Sequence, residues 1–297
     1  GFGVVVADDE GRVSAFQEKP APADALSDLV NVGVYCFDAA IFDEIPAAGA
    51  SDFGSEVLPR LVAAGCRAQQ ANSRPLRAQR QPAQPGEVWW QDDELYYADG
   101  HQVVRVATAS DVRLPGLHMR ANVAMAVALA LRAGMPMALI APTLQQFTGV
   151  EHRQEFVARI GQHTFINDTA ATVPDAAMVA LECMPKPIVW IAGGADKKVT
   201  FDALAACAAK HVQQIVLLAG TATPALRDAL TAHGIDTRIV GTFDAFADAV
   251  ACAHAVAPPQ ATILLSPGCA SFGMFRNEFH RGEEFRAIVA ALGAKEK

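Results

Sequence analysis

The chain has 297 residues, with 24 Lys and Arg against 32 Asp and Glu, for a formal net charge of −8. At about 100–200 residues per domain this length suggests roughly two domains, and the acidic balance argues against nucleic acid as a partner, which needs clustered Lys and Arg. With 52% hydrophobic and 19% charged residues, the chain can bury a sizeable core, which excludes general disorder.

The chain opens on Gly1-Phe2-Gly3 and runs straight into Val4-Val5-Val6, as if cut through an existing domain. Strands are predicted over Phe2–Val6 and Val13–Gln17, with the acidic turn Asp8-Asp9-Glu10-Gly11 between them as a hairpin signal. Leu29–Phe37 is a further strand candidate, and short helices are predicted over Ala39–Glu44 and Ser55–Ala64. Cys66–Pro85 is rich in Gln, Arg, Ala and Pro without a hydrophobic period; it reads as a linker or junction, or equally as an irregular surface loop. Short strands follow at Trp89-Trp90, Glu94–Ala98 and Val103–Ala107, joined by turns at Gln91-Asp92-Asp93 and Asp99-Gly100. Helices are predicted over His118–Ala133 and Pro142–Phe147. Within the first of these, Val123–Leu131 is the most membrane-like stretch, but Arg132 interrupts it. A span needs about 20 apolar residues, so a buried helix is expected and no membrane partner. No signal peptide is readable at the start.

From Glu151 the pattern alternates. Strands are predicted at Phe156–Ile160, Thr164–Asn167, Ile188–Ala192, Ile215–Ala219, Thr237–Val240 and Thr262–Leu265. Helices are predicted at Asp175–Glu182, Phe201–Lys210, Pro224–His233, Phe243–Val256 and Gly282–Leu292. This alternation implies β-α-β units, hence an α/β fold with a mainly parallel, Rossmann-like sheet. The six cysteines, Cys36, Cys66, Cys183, Cys207, Cys252 and Cys269, form no C-x-x-C pair and read as reduced thiols of a cytosolic protein. No His stands at metal-ligand spacing.

Ligands of open α/β sheets bind beyond the carboxyl ends of the strands. Three such ends carry unusual loops: Asp168-Thr169-Ala170-Ala171-Thr172, Gly193-Gly194-Ala195-Asp196-Lys197-Lys198, and Ser266-Pro267-Gly268-Cys269-Ala270-Ser271-Phe272. If their strands are parallel neighbours, the loops converge and gather lysines, hydroxyls and backbone N–H groups suited to a carboxylate or phosphate. Taken singly, each feature has a plainer reading. Gly193-Gly194 reads equally as a tight turn, Lys197 and Lys198 as solvated charges, Thr172 as a helix cap, and Cys269 as a packing residue.

These loops occur in order with Leu114-Pro115-Gly116-Leu117-His118, Asn122, Glu151-His152-Arg153, Arg276-Asn277 and Arg281-Gly282. Together they closely resemble the Mur ligases that add D-glutamate to UDP-N-acetylmuramoyl-L-alanine, over roughly residues 86–297. The resemblance implies an ATP-dependent amide ligase of peptidoglycan precursor synthesis. In that family ATP phosphorylates the substrate carboxylate and the D-glutamate amine attacks the acyl phosphate. It implies ATP and Mg²⁺ as cofactors and a cytoplasmic location. It assigns Thr172, Lys197, Ser271 and Phe272 to D-glutamate, Asn122 to the adenine side of the nucleotide, Arg153 to its phosphates and Asp168 to its ribose. A dicarboxylate needs such a cation and such donors. The chain departs from the family at Met119, where Asn is often found, at Ala170, where some members carry Lys, and at Glu278, where an aromatic is common.

No Lys in the chain is followed by Ser or Thr. The family's G-x-x-G-K-[ST] loop, which cradles ATP phosphates and holds Mg²⁺, is therefore not among these residues. No catalytic residue or Mg²⁺ ligand is assigned, and the chain alone is expected to be inactive. The N-terminal residues resemble a different family. Gly3-Val4-Val5, Phe16-Gln17-Glu18-Lys19-Pro20, Asn31-Val32-Gly33-Val34-Tyr35 and Asp52-Phe53-Gly54 are similar to the sugar-phosphate half of a nucleotidyltransferase making NDP-sugars. That likeness implies that Lys19 contacts a sugar phosphate and that Glu18 and Asn31 contact the sugar. The expected organisation is a partial nucleotidyltransferase-like segment over 1–65, a linker over 66–85, the tail of a Mur ligase central domain over 86–150 and its C-terminal domain over 151–297. The alternatives are a sugar-1-phosphate nucleotidyltransferase and a non-catalytic fusion fragment.

Overall fold

Burial on both faces of a parallel sheet requires continuous apolar strands, and the C-terminal half of the chain supplies them. The computed structural model describes residues 3–7, 13–17, 21, 24–27, 30–31, 60, 73–74, 85–114, 116 and 118–295. They group into two compact units, one drawn from Gly1–Ala109 with Ala121–Pro142, the other from Ser110–Arg120 with Thr143–Lys297.

In the first unit, β1 (Gly3–Ala7) pairs antiparallel with β2 (Val13–Gln17) and with β3 (Val30–Asn31), giving the order β2-β1-β3. Of the expected strand Leu29–Phe37, only Val30–Asn31 is described. The Asp8–Gly11 turn and the expected helices Ala39–Glu44 and Ser55–Ala64, apart from Arg60, lie outside the described residues. A second sheet has the order β4-β5-β6-β7: Ser73–Arg74, Val88–Gln91, Glu94–Ala98 and Val103–Thr108. Within the stretch Cys66–Pro85, read as a linker or an irregular surface loop, the described residues include β4, which pairs in parallel with Val88 and Trp89. Two residues are too few to carry a periodic signal, so the pairing was invisible in the composition. The β5–β6 turn places Asp92 at φ 53°, and Trp89 stacks on Tyr96 directly across the ladder, ring centroids 5.8 Å apart. At the β6–β7 turn the Asp99 carboxylate accepts from the backbone N–H of His101 and Gln102 at 2.7 and 2.8 Å, a local substitute for a turn hydrogen bond.

The helix α1 (His118–Arg132) buries Val123, Ala124, Val127 and Ala128, the one-sided stripe of a helix packed on a core. Among the described residues no helix is long and apolar enough to cross a membrane. The next helix, α2 (Ile140–Gln146), starts two residues before the expected Pro142; proline is tolerated inside a first turn because its missing N–H has no partner there anyway.

The second unit runs β8 (Glu155–Ile160), β9 (His163–Asn167), α3 (Pro174–Cys183), β10 (Ile188–Ala192), α4 (Asp202–His211), β11 (Val212–Leu218), α5 (Thr223–Ala232), β12 (Ile239–Phe243), α6 (Phe246–Val256), β13 (Thr262–Leu265) and α7 (Glu278–Lys295). The six-stranded sheet has the order β12-β11-β10-β13-β9-β8. Strands β12 to β9 are parallel, and β8 closes one edge antiparallel to β9. The expected α/β, mainly parallel fold is thus the observed one. Successive residues feed opposite cores. Ile188, Trp190, Ile215, Leu217 and Leu264 join Leu181, Leu204 and Leu226 on one face. Val189, Ile191, Val216, Ile263 and Leu265 join Phe246, Phe285 and Val289 on the other.

Several expected boundaries in this unit move, among them the start of β11, which is Val212 rather than Ile215. The run Thr237–Val240 is not a strand from its start: Asp236–Arg238 is a 3-10 turn and β12 begins at Ile239. The turn lets Arg238 Nη1 donate to the carbonyls of Ala209 and Val212 at 2.9 and 2.6 Å. Phe243 ends β12 rather than opening α6, which starts at Phe246. Helix α7 begins at Glu278, four residues before the expected Gly282; the Asn277 side chain accepts from the His280 N–H at 2.8 Å, the geometry of an Asn N-cap.

Leu204 is fully buried, and a Cβ added to Gly268 would lie 3.0 Å from its Cδ2. Leu204→Ala is expected to destabilise the unit by about 3 kcal/mol through the cavity it leaves, measured by urea unfolding.

Candidate functional site

Strands β10, β13 and β9 are parallel neighbours, so their three loops leave the sheet at one edge. Backbone hydrogen bonds then lock the loops to each other. Asp168 N donates to Leu265 O at 2.7 Å, Gly193 N to Pro267 O at 3.0 Å and Gly268 N to Ala171 O at 2.9 Å, while Ala195 and Ala270 exchange a pair at 2.8 and 3.1 Å. Gly193-Gly194 is more than a tight turn. A Cβ on Gly193 would sit 2.6 Å from Leu218 O and one on Gly194 2.3 Å from Ala270 O, at φ values of 106° and 142°. Only glycine lets the backbones approach this closely.

Within this edge, Lys197 Nζ donates to Thr172 Oγ1 at 3.0 Å, so two of the expected D-glutamate residues meet. Thr172 is not the cap of α3; Val173 holds that position, without a side-chain hydrogen bond, and Pro174 opens the helix. Ser271 is buried, and its Oγ has no hydrogen-bond partner among the described residues. Its neighbour Phe272 is 62% exposed. Lys198 lies beside Lys197 at a left-handed φ of 59°, its N–H donating to Asp196 Oδ1 at 2.7 Å. The Cys269 thiol is pushed up to about 12 by burial, which agrees with its reading as a packing residue.

The Arg153 segment approaches the same strand end. His152 and Gln154, on either side of it, have φ of 66° and 49°, a conformation that costs free energy for non-glycine residues unless the surroundings fix it. They do. Gln154 N donates to Asp168 Oδ1 at 3.1 Å, His152 N to Glu155 Oε2 at 2.9 Å, and Ala170 N to His152 O at 3.0 Å. Asn167 Nδ2 donates to Glu155 Oε2 at 2.9 Å and faces His152 Nδ1 at 3.0 Å. Since Asn167 Oδ1 accepts from Thr169 N at 3.2 Å, the amide orientation makes His152 Nδ1 the acceptor. Asp168 also accepts from Ser266 Oγ at 2.7 Å. Burial raises its carboxyl to about 6, against the opposing pull of Ser266, Gln154 N–H and the Arg153 charge.

Arg281 gives no signal in the sequence beyond its place in a motif. It is fully buried, and burial lowers its pKa to about 10. Its Nε donates to Thr169 Oγ1 at 2.8 Å, its Nη2 to Thr169 O at 3.0 Å, and Nη1 and Nη2 reach Cys269 O at 3.3 and 3.4 Å. One guanidinium thus ties the loop after β9 to the loop after β13. Gly282 beside it must be glycine, because a Cβ there would lie 2.3 Å from His152 Nδ1.

Of the remaining expected residues, Asn122 lies exposed on α1 in the first unit. Asn31 is on β3, and Glu18 and Lys19 lie outside the described residues.

Two measurements check the electrostatics. A carboxyl whose folded pKa of about 6 exceeds its unfolded 3.8 holds its proton more tightly in the fold. Its contribution is therefore full below about pH 4 and is lost as pH rises to about 6, a change on the order of 3 kcal/mol. Urea unfolding across that window is expected to show the fall in the wild type and a flat profile in Asp168→Asn. Arg281→Ala leaves the Thr169 and Cys269 carbonyls short of donors and is expected to cost about 3 kcal/mol in the same assay.

Residues 152–269 match the family model for the Mur ligase glutamate ligase domain, and residues 1–92 match that for nucleotidyl transferase. A UDP-N-acetylmuramoylalanine–D-glutamate ligase of Roseiflexus sp. (strain RS-1) is 49% identical over 208 residues, covering 69% of this chain and 44% of the relative. The enzyme of the same name from Symbiobacterium thermophilum is 39% identical over 228 residues, covering 76% and 50%. The chain spans about half the length of the curated relatives it matches. Among solved structures, the UDP-N-acetylmuramoylalanyl-D-glutamyl-2,6-diaminopimelate–D-alanyl-D-alanyl ligase of Acinetobacter baumannii shares the fold, with a TM-score of 0.50 at 18% identity over 81% of this chain and 49% of that one. Residues 152–269 belong to the Mur ligase family through its glutamate ligase domain, and residues 1–92 match the nucleotidyl transferase family, so both resemblances carried by the motifs stand.

Proposed function

We propose that the edge formed by the loops after β9, β10 and β13 is the amino-acid-binding part of an ATP-dependent ligase of peptidoglycan precursor synthesis, joining D-glutamate to UDP-N-acetylmuramoyl-L-alanine. The observation that carries this reading is the Lys197–Thr172 pair at 3.0 Å, in a chain 49% identical to a ligase of that name over 208 residues. Lys197 supplies the cation for one carboxylate of D-glutamate, Thr172 and Ser271 supply hydroxyl donors, and Phe272 covers the aliphatic stem. Ionised at neutral pH, Asp168 accepts from a ribose hydroxyl. Arg153 pairs with nucleotide phosphates; for Asn122, in the first unit, a role toward adenine rests on the family resemblance alone.

These donors suit a nucleotide in part. ATP, when bound, supplies the phosphoryl group that activates the acceptor carboxylate. Among the described residues no group of three or more His, Cys, Asp and Glu could hold a metal ion, so these residues do not fit Mg²⁺. Without a G-x-x-G-K-[ST] loop in these 297 residues, the charge developing on a transferring phosphoryl group has no cradle. The polypeptide by itself is expected to release no phosphate from ATP in the presence of both other substrates; substrate-dependent release in a malachite-green assay contradicts this.

For residues 1–92 we propose, on their family match, a sugar-phosphate-binding segment of a nucleotidyltransferase, with Lys19 on the phosphate and Glu18 and Asn31 on the sugar. Pyrophosphorolysis of an NDP-sugar by the chain would make this the active half; its absence leaves a binding segment.

Calorimetry with D-glutamate separates binding from folding. Lys197→Ala is expected to weaken binding about tenfold or more, the value of a charge-assisted hydrogen bond, and equal affinity contradicts the assignment. Ser271→Ala removes a buried hydroxyl that has no partner among the described residues, so it is expected to weaken binding while leaving the urea midpoint unchanged or raised.

A further inference from the structure

At the opposite, amino edge of the same sheet, an open cleft of about 650 Å³ is lined by Lys186, Lys210, His211 and Arg238, with Pro187, Ala209, Val212 and Gln213. The cations come from three places: the segment before β10, the end of α4 and the turn before β12. A helix C-terminus attracts cations for its own sake, since its free carbonyls carry about half a negative charge. That demand is already met at α4. Val212 N caps Ala208 O, and Arg238 Nη1 donates to Ala209 O and Val212 O. What remains is surplus. Lys186 Nζ reaches only Lys210 O, at 3.5 Å, and Lys210 Nζ and Arg238 Nε and Nη2 have no acceptor among the described residues. Among the described residues no carboxylate forms an ion pair with any of the three. Glu182 acts on His211 from a distance, and burial together with Lys186 lowers the His211 pKa. The His211 Nδ1 atom is buried, with no partner among the described residues. On a chain of net charge −8, two or three uncompensated cations around one cleft are an exception that calls for an anion.

We propose that this cleft is a binding site for a phosphate dianion, free or as a small ester, held by the Lys186 and Lys210 ammonium groups and the free face of the Arg238 guanidinium. Strand β11 alone separates the two edges by about 20 Å, so the site is distinct from the carboxyl-edge site and does not rest on the function proposed there.

The test is an NMR titration of the intact chain, following the His211 ring signals, with inorganic phosphate and with methyl phosphate at constant ionic strength. A saturable shift is expected, with an upward move of the His211 titration as the anion binds. Lys186→Gln/Lys210→Gln, two exposed positions, is expected to weaken it about tenfold or more, whereas Arg153→Ala leaves it unchanged. A response to phosphate alone identifies the free anion, and a stronger response to methyl phosphate identifies an ester. No saturable shift with either, equal affinity in the double variant, or loss in Arg153→Ala overturns the proposal.

Discussion

The lacing of three loops by their own backbones is the constraint on which the carboxyl edge depends. Asp168, Gly193, Ala195, Gly268 and Ala270 all commit their N–H groups across loop boundaries. These bonds exist only because β10, β13 and β9 are adjacent and parallel, and because Gly193 and Gly194 let three backbones meet below the distance any Cβ would permit. A side chain grown on such a frame inherits its position. The Lys197–Thr172 pair joins residues 25 positions apart, and Ser266 reaches Asp168 across 98. The geometry of each is set by strand order before any side-chain preference acts.

Two buried ionisable groups sit inside this frame and are handled differently. Among the described residues Arg281 forms no ion pair with a carboxylate, and only the Glu278 carboxylate acts on it from a distance. The guanidinium charge is spread over two carbonyls and a hydroxyl, and desolvation still lowers its pKa. Asp168 is held by Ser266 and Gln154 N–H, and desolvation still raises its pKa. In both, the hydrogen bonds offset only part of what leaving water costs. A cation tolerated there ties two loops together; a carboxyl tolerated there keeps an acceptor aimed at the strand end.

What the sequence disclosed follows from how local each cause is. Ile188–Ala192 and Thr262–Leu265 were legible to the residue, since an apolar run buried on both faces writes its own boundaries. The convergence of the three loops was legible only conditionally, because alternation implies parallel strands but not their order. Helix α7 starts four residues before the predicted Gly282, which lies inside the helix where His152 approaches it; the sequence signal for the true start is Asn277 as a cap. Arg281 was illegible in role, because its partner Thr169 is 112 positions earlier. The same holds for the cleft at Lys186, Lys210 and Arg238, which no motif unites.

The carboxyl edge is rigid at its base and open at its rim, and this division bears on how a ligand would be held. Asp168, Ser266 and the glycines are buried and bonded, while Lys197 and Phe272 stand exposed. Between the two lies Ser271, buried, its Oγ without a hydrogen-bond partner among the described residues. A ligand oxygen that pairs with this hydroxyl would gain about 1 kcal/mol from the hydrogen bond. It meets a preorganised donor below and mobile-stemmed groups above, so the ordering entropy falls mainly on Lys197, whose side chain carries the larger rotamer freedom. Affinity at such a site is governed by how well the ligand matches the fixed hydroxyl, and the rim adapts to the remainder.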